Sequence, residues 1–563
     1  MKRKALRLTF ATAPFLIGVV LLVSCAPAEK GKDAVTSNDA VGGTIIDAVP
    51  SDVKTLFPPA AYNALDLGII SCVFDHLADI GDDLNVLGDS GFVKQLASSW
   101  TWAPDSLSIA FSLNPKARWH DGAPVRAPDV RFTFKVYSDK RSGVRLPENV
   151  SNIDSVSIAD SLTPVIWFKR RTPHQFFDAT YQMYVMPAHL LDTVPMERLA
   201  SHPVFRAPIG SGRFRFSNWI EKQSVEIVSD TGNYRGRARL DRFIWTISGD
   251  ASSAALSVYA GNADLFERLL AEDLKDLPKY PKLRALTYTE IGYSYLAFNF
   301  RARKDVSKPH PIFSDERVRR ALSMGVDRDR LARAVFDTFA TPGIGPSPRE
   351  LFQDPNALKP IPYDVPHARA LLDSAGWTLA TGQTVRSKNG VPLQFDMYVQ
   401  SSSAPRKLYA TYIEQQFKAI GALGTAKAVE NKVLGSVLDA HDFDIVLLSW
   451  ALTPGLLGMP GSWGTNGSGN DIKYGSARFD ATLDSALNAF KPTVARPLWL
   501  RAMQIIIDDA PAIWLYEDKS IALLHRRIQP AVIRRDAWYA HLADWSIDPA
   551  QRIDRDRTPR GGN

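Results

Sequence analysis

The amino-acid sequence predicts an α/β protein with mixed sheets, and three observations carry that expectation. Short stretches alternate apolar and polar residues with a period of two, as in Leu107, Ile109, Phe111 and Leu113, the pattern of a half-buried strand. Other stretches repeat at three and four residues, as in Val318, Ala321, Leu322, Gly325 and Val326, the stripe of a helix buried on one side. The two kinds of segment alternate along the whole chain, which is the arrangement of helices laid on sheets. At 563 residues, 45% of them hydrophobic and 23% charged, the chain is long and apolar enough for two or more separate cores.

The elements follow in order. Lys2, Arg3, Lys4 and Arg7 precede an apolar run from Phe10 to Val23 that ends in Leu22-Val23-Ser24-Cys25. A basic head, a short apolar stretch and a small-residue exit form a secretory signal, and the run is short for a bilayer span. The last four residues resemble the lipobox of bacterial lipoproteins. That resemblance implies cleavage before Cys25, lipid on its thiol and an acylated new N-terminus, and several acyl chains together anchor a protein durably. Residues 1–24 are thus expected to be a lipoprotein signal peptide, Cys25 the lipidation site and 25–42 a flexible tether. The four cations of the signal make up most of the formal +7, leaving about +3 on the exported part, too little to suggest nucleic-acid binding. Cys72, the only other cysteine, lies in the apolar run Ile69–Phe74 and is expected to be a buried structural thiol.

Gly43–Val49 is predicted as the first strand, stopped at Pro50-Ser51-Asp52. Leu67, Ile70, Phe74 and Leu77 place a helix over Ala64–Leu77. Leu107–Leu113 is a strand, Trp119-His120-Asp121-Gly122 a tight turn, and Pro128-Asp129 opens a helix. Ser314 is placed as the N-cap of the helix carrying Val318, with arginines on its outward face. A helix over Pro366–Ala375 stops at Gly376, and Ile445–Leu448 is a hydrophobic strand.

Several of these segments are shared with a known family. Trp100-Thr101-Trp102, Trp119-His120-Asp121-Gly122, Ala127–Phe134, Pro208-Ile209-Gly210-Ser211-Gly212, Asn233-Tyr234, Leu240-Asp241, Gly261-Asn262-Ala263-Asp264, Phe313–Leu322, Phe443–Trp450 and Ala510–Tyr516 resemble, in number and order, the extracellular solute-binding proteins of family 5, the peptide- and nickel-type receptors of ABC importers. The resemblance implies a two-lobed periplasmic-binding-protein-like fold, of type II and the large cluster C kind, with an inserted subdomain. Lobe I would combine 43–64, 205–285 and 515–563, the inserted subdomain 65–204, and lobe II 286–514. The chain would cross between lobes near Glu290–Tyr295 and Trp514–Tyr516. It further implies an exported, lipid-anchored monomer that captures an oligopeptide or dipeptide and delivers it to an ABC permease with its ATPase subunits. No cofactor, metal, nucleic acid or catalytic residue is implied.

Motifs for chemistry are absent. There is no His-Glu-x-x-His, Cys-x-x-Cys or phosphate loop, and no complete Gly-x-Ser-x-Gly elbow that would make an envelope lipoprotein hydrolase the better reading. The ten histidines are scattered singly. His120, beside Asp121, is expected to be structural. Candidates for ligand contact are Trp450 and the Gly/Pro-rich loop behind it, Thr453–Asn470, continuing through Asp471 to Tyr474, with Tyr295 and Tyr516 as walls at the crossovers. In peptide-binding members of the family, an acid three residues after the equivalent of Trp450 pairs with the peptide's ammonium. Here Thr453 stands in that place, and a hydroxyl cannot neutralise a cation. Asp471 is the substitute the same loop offers. The departure leaves a non-peptide solute, an oligosaccharide or a metal chelate, as the alternative ligand class.

Overall fold

The structure is a computed structural model that describes residues 41–351, 354, 356–451, 454 and 458–557. Cys25 and Thr453 lie outside the described residues. Among the described residues, one 12-stranded sheet runs through the molecule, ten strands in a continuous path and two more added onto its long strand. Its strands are β1 (Thr44–Val49), β2 (Phe214–Ile220), β3 (Ser224–Ser229), β4 (Arg242–Ile247), β5 (Leu265–Phe266), β6 (Leu283–Thr289), β7 (Gly292–Phe298), β8 (Ala340–Pro342), β9 (Gln394–Gln400), β10 (Leu423–Val429), β11 (Ile445–Ala451) and β12 (Ala512–His525). The mixed α/β class read from the sequence is the one observed.

β12 joins two sheets. Its first part, Ala512–Tyr516, pairs antiparallel with β7, and Tyr516–Asp518 pairs with β8. Its second part, Lys519–His525, pairs with β6, and Leu523–Leu524 with β5. Two large cores follow this division. One gathers residues 45–288 with 522–547, the other residues 293–516. A four-stranded antiparallel sheet (Ala97–Trp102, Ser108–Leu113, Thr163–Phe168, Ile153–Asp160) packs into the first core. Away from β12, that inserted region touches the second half again. Leu84, Val86, Leu87 and Phe177 share a cluster with Ala495, Arg496 donates to Asn85 (3.3 Å), and Arg170 bonds Asn488.

Strand direction positions the site. β1, β4 and β5 are mutually parallel, and β5 runs against β12, so all three end at the part of β12 where the sheets meet. β9, β10 and β11 are parallel too, and they end at the same junction from the other side. Carboxyl ends of parallel strands are where open α/β sheets bind ligands.

Local sequence explains most elements, and three differences have physical reasons. The helix expected to Leu77 ends at Val73, because Phe74 turns extended (ψ 150°) and the next backbone groups find partners elsewhere: Gln95 Oε1 accepts from His76 N (2.7 Å) and Asp75 O accepts from Val185 N (3.0 Å). The helix Glu316–Met324 is capped by Asp315, not Ser314: the carboxylate accepts from Arg317 N (3.0 Å), while Ser314 Oγ donates to His310 O (2.6 Å). A carboxylate also suits the positive end of the helix dipole. Nor do all arginines of that helix face outward. Arg319 is buried, donating to the carbonyls of Ala510 (3.1 Å), Phe313 (2.8 Å) and Asp509 (2.8 Å), and burial holds its pKa down to about 10.

Cys72 is buried, and desolvation pushes its thiol up to about 12, so it is not a nucleophile at neutral pH. His120 is structural as expected. Its Nδ1 accepts from Gly210 N (3.2 Å) and its Nε2 lies 3.0 Å from Gly212 O, which pins the Pro208–Gly212 turn. That turn lies so close to the end of the first helix that Gly212 N donates to Val73 O (2.8 Å).

Candidate functional site

The junction at β12 is lined from both halves. On the second half, β7 alternates two different surfaces. Tyr293 and Tyr295 face one side, in a ring cluster with Trp463 and Trp514; Tyr295 lies 5.3 Å from Trp463 and 6.1 Å from Trp514 between centroids. Trp463 Nε1 donates to the Tyr293 hydroxyl (3.1 Å). Ser294 faces the other side, where Ser294 Oγ and Ser449 Oγ are 2.6 Å apart and Arg406 donates to Ser449 Oγ (2.6 Å) and Gln400 Oε1 (2.7 Å). Tyr516 packs on that second side, its ring 5.0 Å from Tyr409 and 4.5 Å from Phe336.

Trp450 pairs with Tyr293 near the end of β11, at the junction. Its indole is half-buried, and its Nε1 lies toward the Tyr295 hydroxyl without a close hydrogen bond. Tyr295 and Tyr516, both expected as walls of one cleft, are 4% and 3% exposed and face opposite sides of the sheet, a consequence of strand alternation with their pairing to different residues of β7 and β12. Asn470 and Tyr474, expected at the ligand, are used inside their own loop. Asn470 Nδ2 donates to Gly464 O (2.9 Å) and Tyr474 O (2.7 Å), its Oδ1 accepts from Tyr474 N (3.1 Å), and the Tyr474 hydroxyl donates to Asp509 (2.7 Å). The loop passes Trp450, where a Cβ on Gly469 would stand 4.0 Å from the indole, and two residues past Asn470 Ile472 O accepts from Phe300 N (2.9 Å). Asp471 is half-buried there, its carboxyl raised by desolvation and by Asp439, with Lys473 opposing.

The first half presents a charged edge. Glu267, Arg268, Glu290 and Ser520 form a chain: Arg268 Nε to Glu267 (3.3 Å), Arg268 Nη2 to Glu290 (3.3 Å), and Ser520 Oγ donating to Glu290 (2.5 Å). Sequence reasoning missed Arg406, Ser449 and this edge. Two signals were available: Ser449 immediately precedes Trp450, and Glu290 opens the expected crossover.

Two sheets meeting along a common strand, with parallel strands ending face to face across a polar junction, define a two-lobed solute-binding protein. Neighbouring solved structures have that architecture. The ABC transporter substrate-binding protein CtaP of Listeria monocytogenes superposes with a TM-score of 0.78 at 22% identity, covering 90% of this chain and 100% of that one. The family model for the middle region of bacterial extracellular solute-binding proteins, family 5, matches residues 91–470, and the chain belongs to that family. It is a family of solute-binding proteins, not of enzymes. The oligopeptide-binding protein AppA of Bacillus subtilis is 23% identical over 80% of this chain and 82% of its own length. The glutathione-binding protein GsiB of Pectobacterium atrosepticum is 24% identical over 93% of this chain and 96% of its own. A Brucella ovis relative, provisionally named an ABC transporter peptide-binding protein, is 27% identical, and the chain spans 65% of its length. Among the described residues no helix is long and apolar enough to cross a membrane, and no group of three or more metal-binding side chains is present.

Proposed function

We propose that this chain is the substrate-binding receptor of an ABC importer, anchored to the cell envelope through lipid on Cys25, working as a monomer and taking a peptide between its lobes. Lobe I is assigned to 43–64, 205–285 and 515–563, its inserted subdomain to 65–204 and lobe II to 286–514. The observation that carries the reading is Trp450, a half-buried indole beside Tyr295 where the two lobes meet, at the ends of the parallel strands. A solute bridging the lobes supplies contacts only when they are closed, so it stabilises that state by differential binding and presents it to the permease. Transport energy belongs to the permease and its ATPase subunits.

Native mass spectrometry of the soluble chain beginning after Cys25 tests this. A series of peptide masses released on denaturation is the expected result, and Trp450→Ala should lose most of it. One non-peptide mass would replace peptide by the second reading, a solute such as a metal chelate or oligosaccharide, which Thr453 favours because it cannot pair with an ammonium. The anchor is tested separately. Cys25→Ala should move the protein from the detergent phase to the aqueous phase on phase separation, and a variant that still partitions with detergent would refute lipidation at that residue.

A further inference from the structure

The edge of lobe I at the junction holds more carboxyl groups than guanidinium groups. Asp47 is the deepest member. It is 0% exposed, in the middle of β1, and neither of its carboxylate oxygens has a hydrogen-bond partner. Its neighbours on the strand fix where it points. Ile45 and Val49 lie in the same core as Trp245 and Leu265, whereas Ile46, Ala48 and Phe266 lie in the core on the opposite face. Alternation therefore puts Asp47 and Glu267 on one face of adjacent strands, with Glu267 one residue past the end of β5, toward the junction. Desolvation first, then the charge of Glu267, raises the Asp47 carboxyl well above the usual carboxylate range. Glu267 is raised as well, by desolvation first and then by Glu290, with Arg268 opposing.

Outward from this pair stand Glu290 and Asp518. Asp518 is exposed at the junction, yet its carboxyl is raised by desolvation and by Glu290, as befits a group in a concave place. The cations facing the cluster are Arg268, which touches Glu267 and Glu290, and Arg406, already held by Ser449 and Gln400. Glu517 and Arg349 form their own pair (3.4 Å), and Lys519 turns away to donate to Thr338 O (3.1 Å). The Tyr288 hydroxyl lies beside Glu267, Glu290 and Ser520. Four carboxyls thus face two guanidinium groups.

We propose that this edge is the subsite for a cationic group of the solute, an ammonium or guanidinium that meets Glu267 and Glu290, with the unpartnered Asp47 carboxyl as an acceptor behind them. It rests on the reading that the solute binds between the lobes, and it supplies the negative charge that Thr453 cannot. The subsite lies on lobe I, so a solute held by Trp450 on lobe II and by its cation here would span the closed junction.

Titration calorimetry on the soluble chain tests it with five probes: trilysine, an N-acetylated and amidated trialanine, trialanine amide with a free amine, an N-acetylated Ala-Lys-Ala amide, and spermidine. At least one singly cationic peptide should bind about tenfold or more tightly than the capped trialanine, and which one does so separates an α-ammonium from a side-chain cation. Glu267→Gln should erase that preference. Asp47→Asn should reduce it by a smaller factor while leaving the unliganded melting temperature unchanged or raised, because it removes a buried carboxyl that has no partner. If the capped peptide binds as well as the cationic ones, or if Glu267→Gln keeps the preference, the cation subsite is overturned and the peptide reading stands. If no peptide binds but spermidine does, and Glu267→Gln weakens it, the subsite stands and the peptide reading falls. If none of the probes binds, both fall.

Discussion

Gly210→Ala is expected to melt lobe I while sparing lobe II. A Cβ at Gly210 would overlap the carbonyl of Val73, and one at Gly212 would overlap that of Cys72, so the Pro208–Gly212 turn meets the first helix backbone against backbone. No side chain can swing aside there. The turn is also tied by His120 on one side and by Asn233 on the other, whose Nδ2 donates to Ser211 O (2.9 Å) and Gly212 O (2.8 Å). The added methyl group must therefore displace a helix end or break these bonds, at a cost of about 3 kcal/mol, the upper end for overpacking. Each lobe is large enough to unfold by itself, so calorimetry should resolve two transitions. The lobe I transition should fall by roughly 10 °C and the other should not move. A shift under about 2 °C would mean that the turn has room to relax.

Arg527→Met should loosen the opposite corner of the same lobe. Arg527 is 2% exposed and holds three groups together: both oxygens of Asp264 (3.0 Å each), the carbonyl of Thr44 (3.0 Å), and Asp556. The two acids in turn accept from the start of β1, Asp556 from Thr44 N (2.8 Å) and Asp264 from Ile46 N (3.0 Å). Removing the guanidinium leaves buried carboxylates short of a counter-charge, and such breakage costs about 3–5 kcal/mol. Lysine should not rescue it, because an ammonium cannot bond both carboxylates and the carbonyl from one planar fork. Hydrogen exchange is the sharper measurement. The amides of Thr44 and Ile46 should lose protection while those of β7 keep theirs. Equal loss in both would point to global destabilisation instead.

The residues that made the family legible in the sequence are mostly these ties. His120, Gly210, Gly212, Asn233 and Asp264 each hold backbone to backbone, and the Tyr234 hydroxyl donates to Asp75 (2.9 Å). Such residues are recognisable because glycine, buried carboxylate and histidine have few substitutes where chains meet closely. The binding surface was less legible for the converse reason. Tyrosines at the crossovers read as walls, but a one-residue difference in strand register decides which side they face, and sequence does not carry that register. Asn470 looked like a ligand group and proved to be a loop staple, a use that local side-chain-to-backbone bonding makes common for asparagine. Asp47 and Glu267 escaped notice because they lie more than two hundred positions apart and are brought together only by the parallel pairing of β1 and β5.

The shared strand β12 also sets a mechanical limit. A continuous 14-residue ribbon whose rungs are taken by different partners at its two ends lets the halves swivel about it, but not slide apart or exchange places. The pivot is therefore stiff in translation and soft in torsion, like an axle. Neither half can be cut free without this ribbon: a cut between Tyr516 and Ser520 would strip an interior rung from both sheets at once. Fragments made to isolate one half should therefore carry the whole of this ribbon.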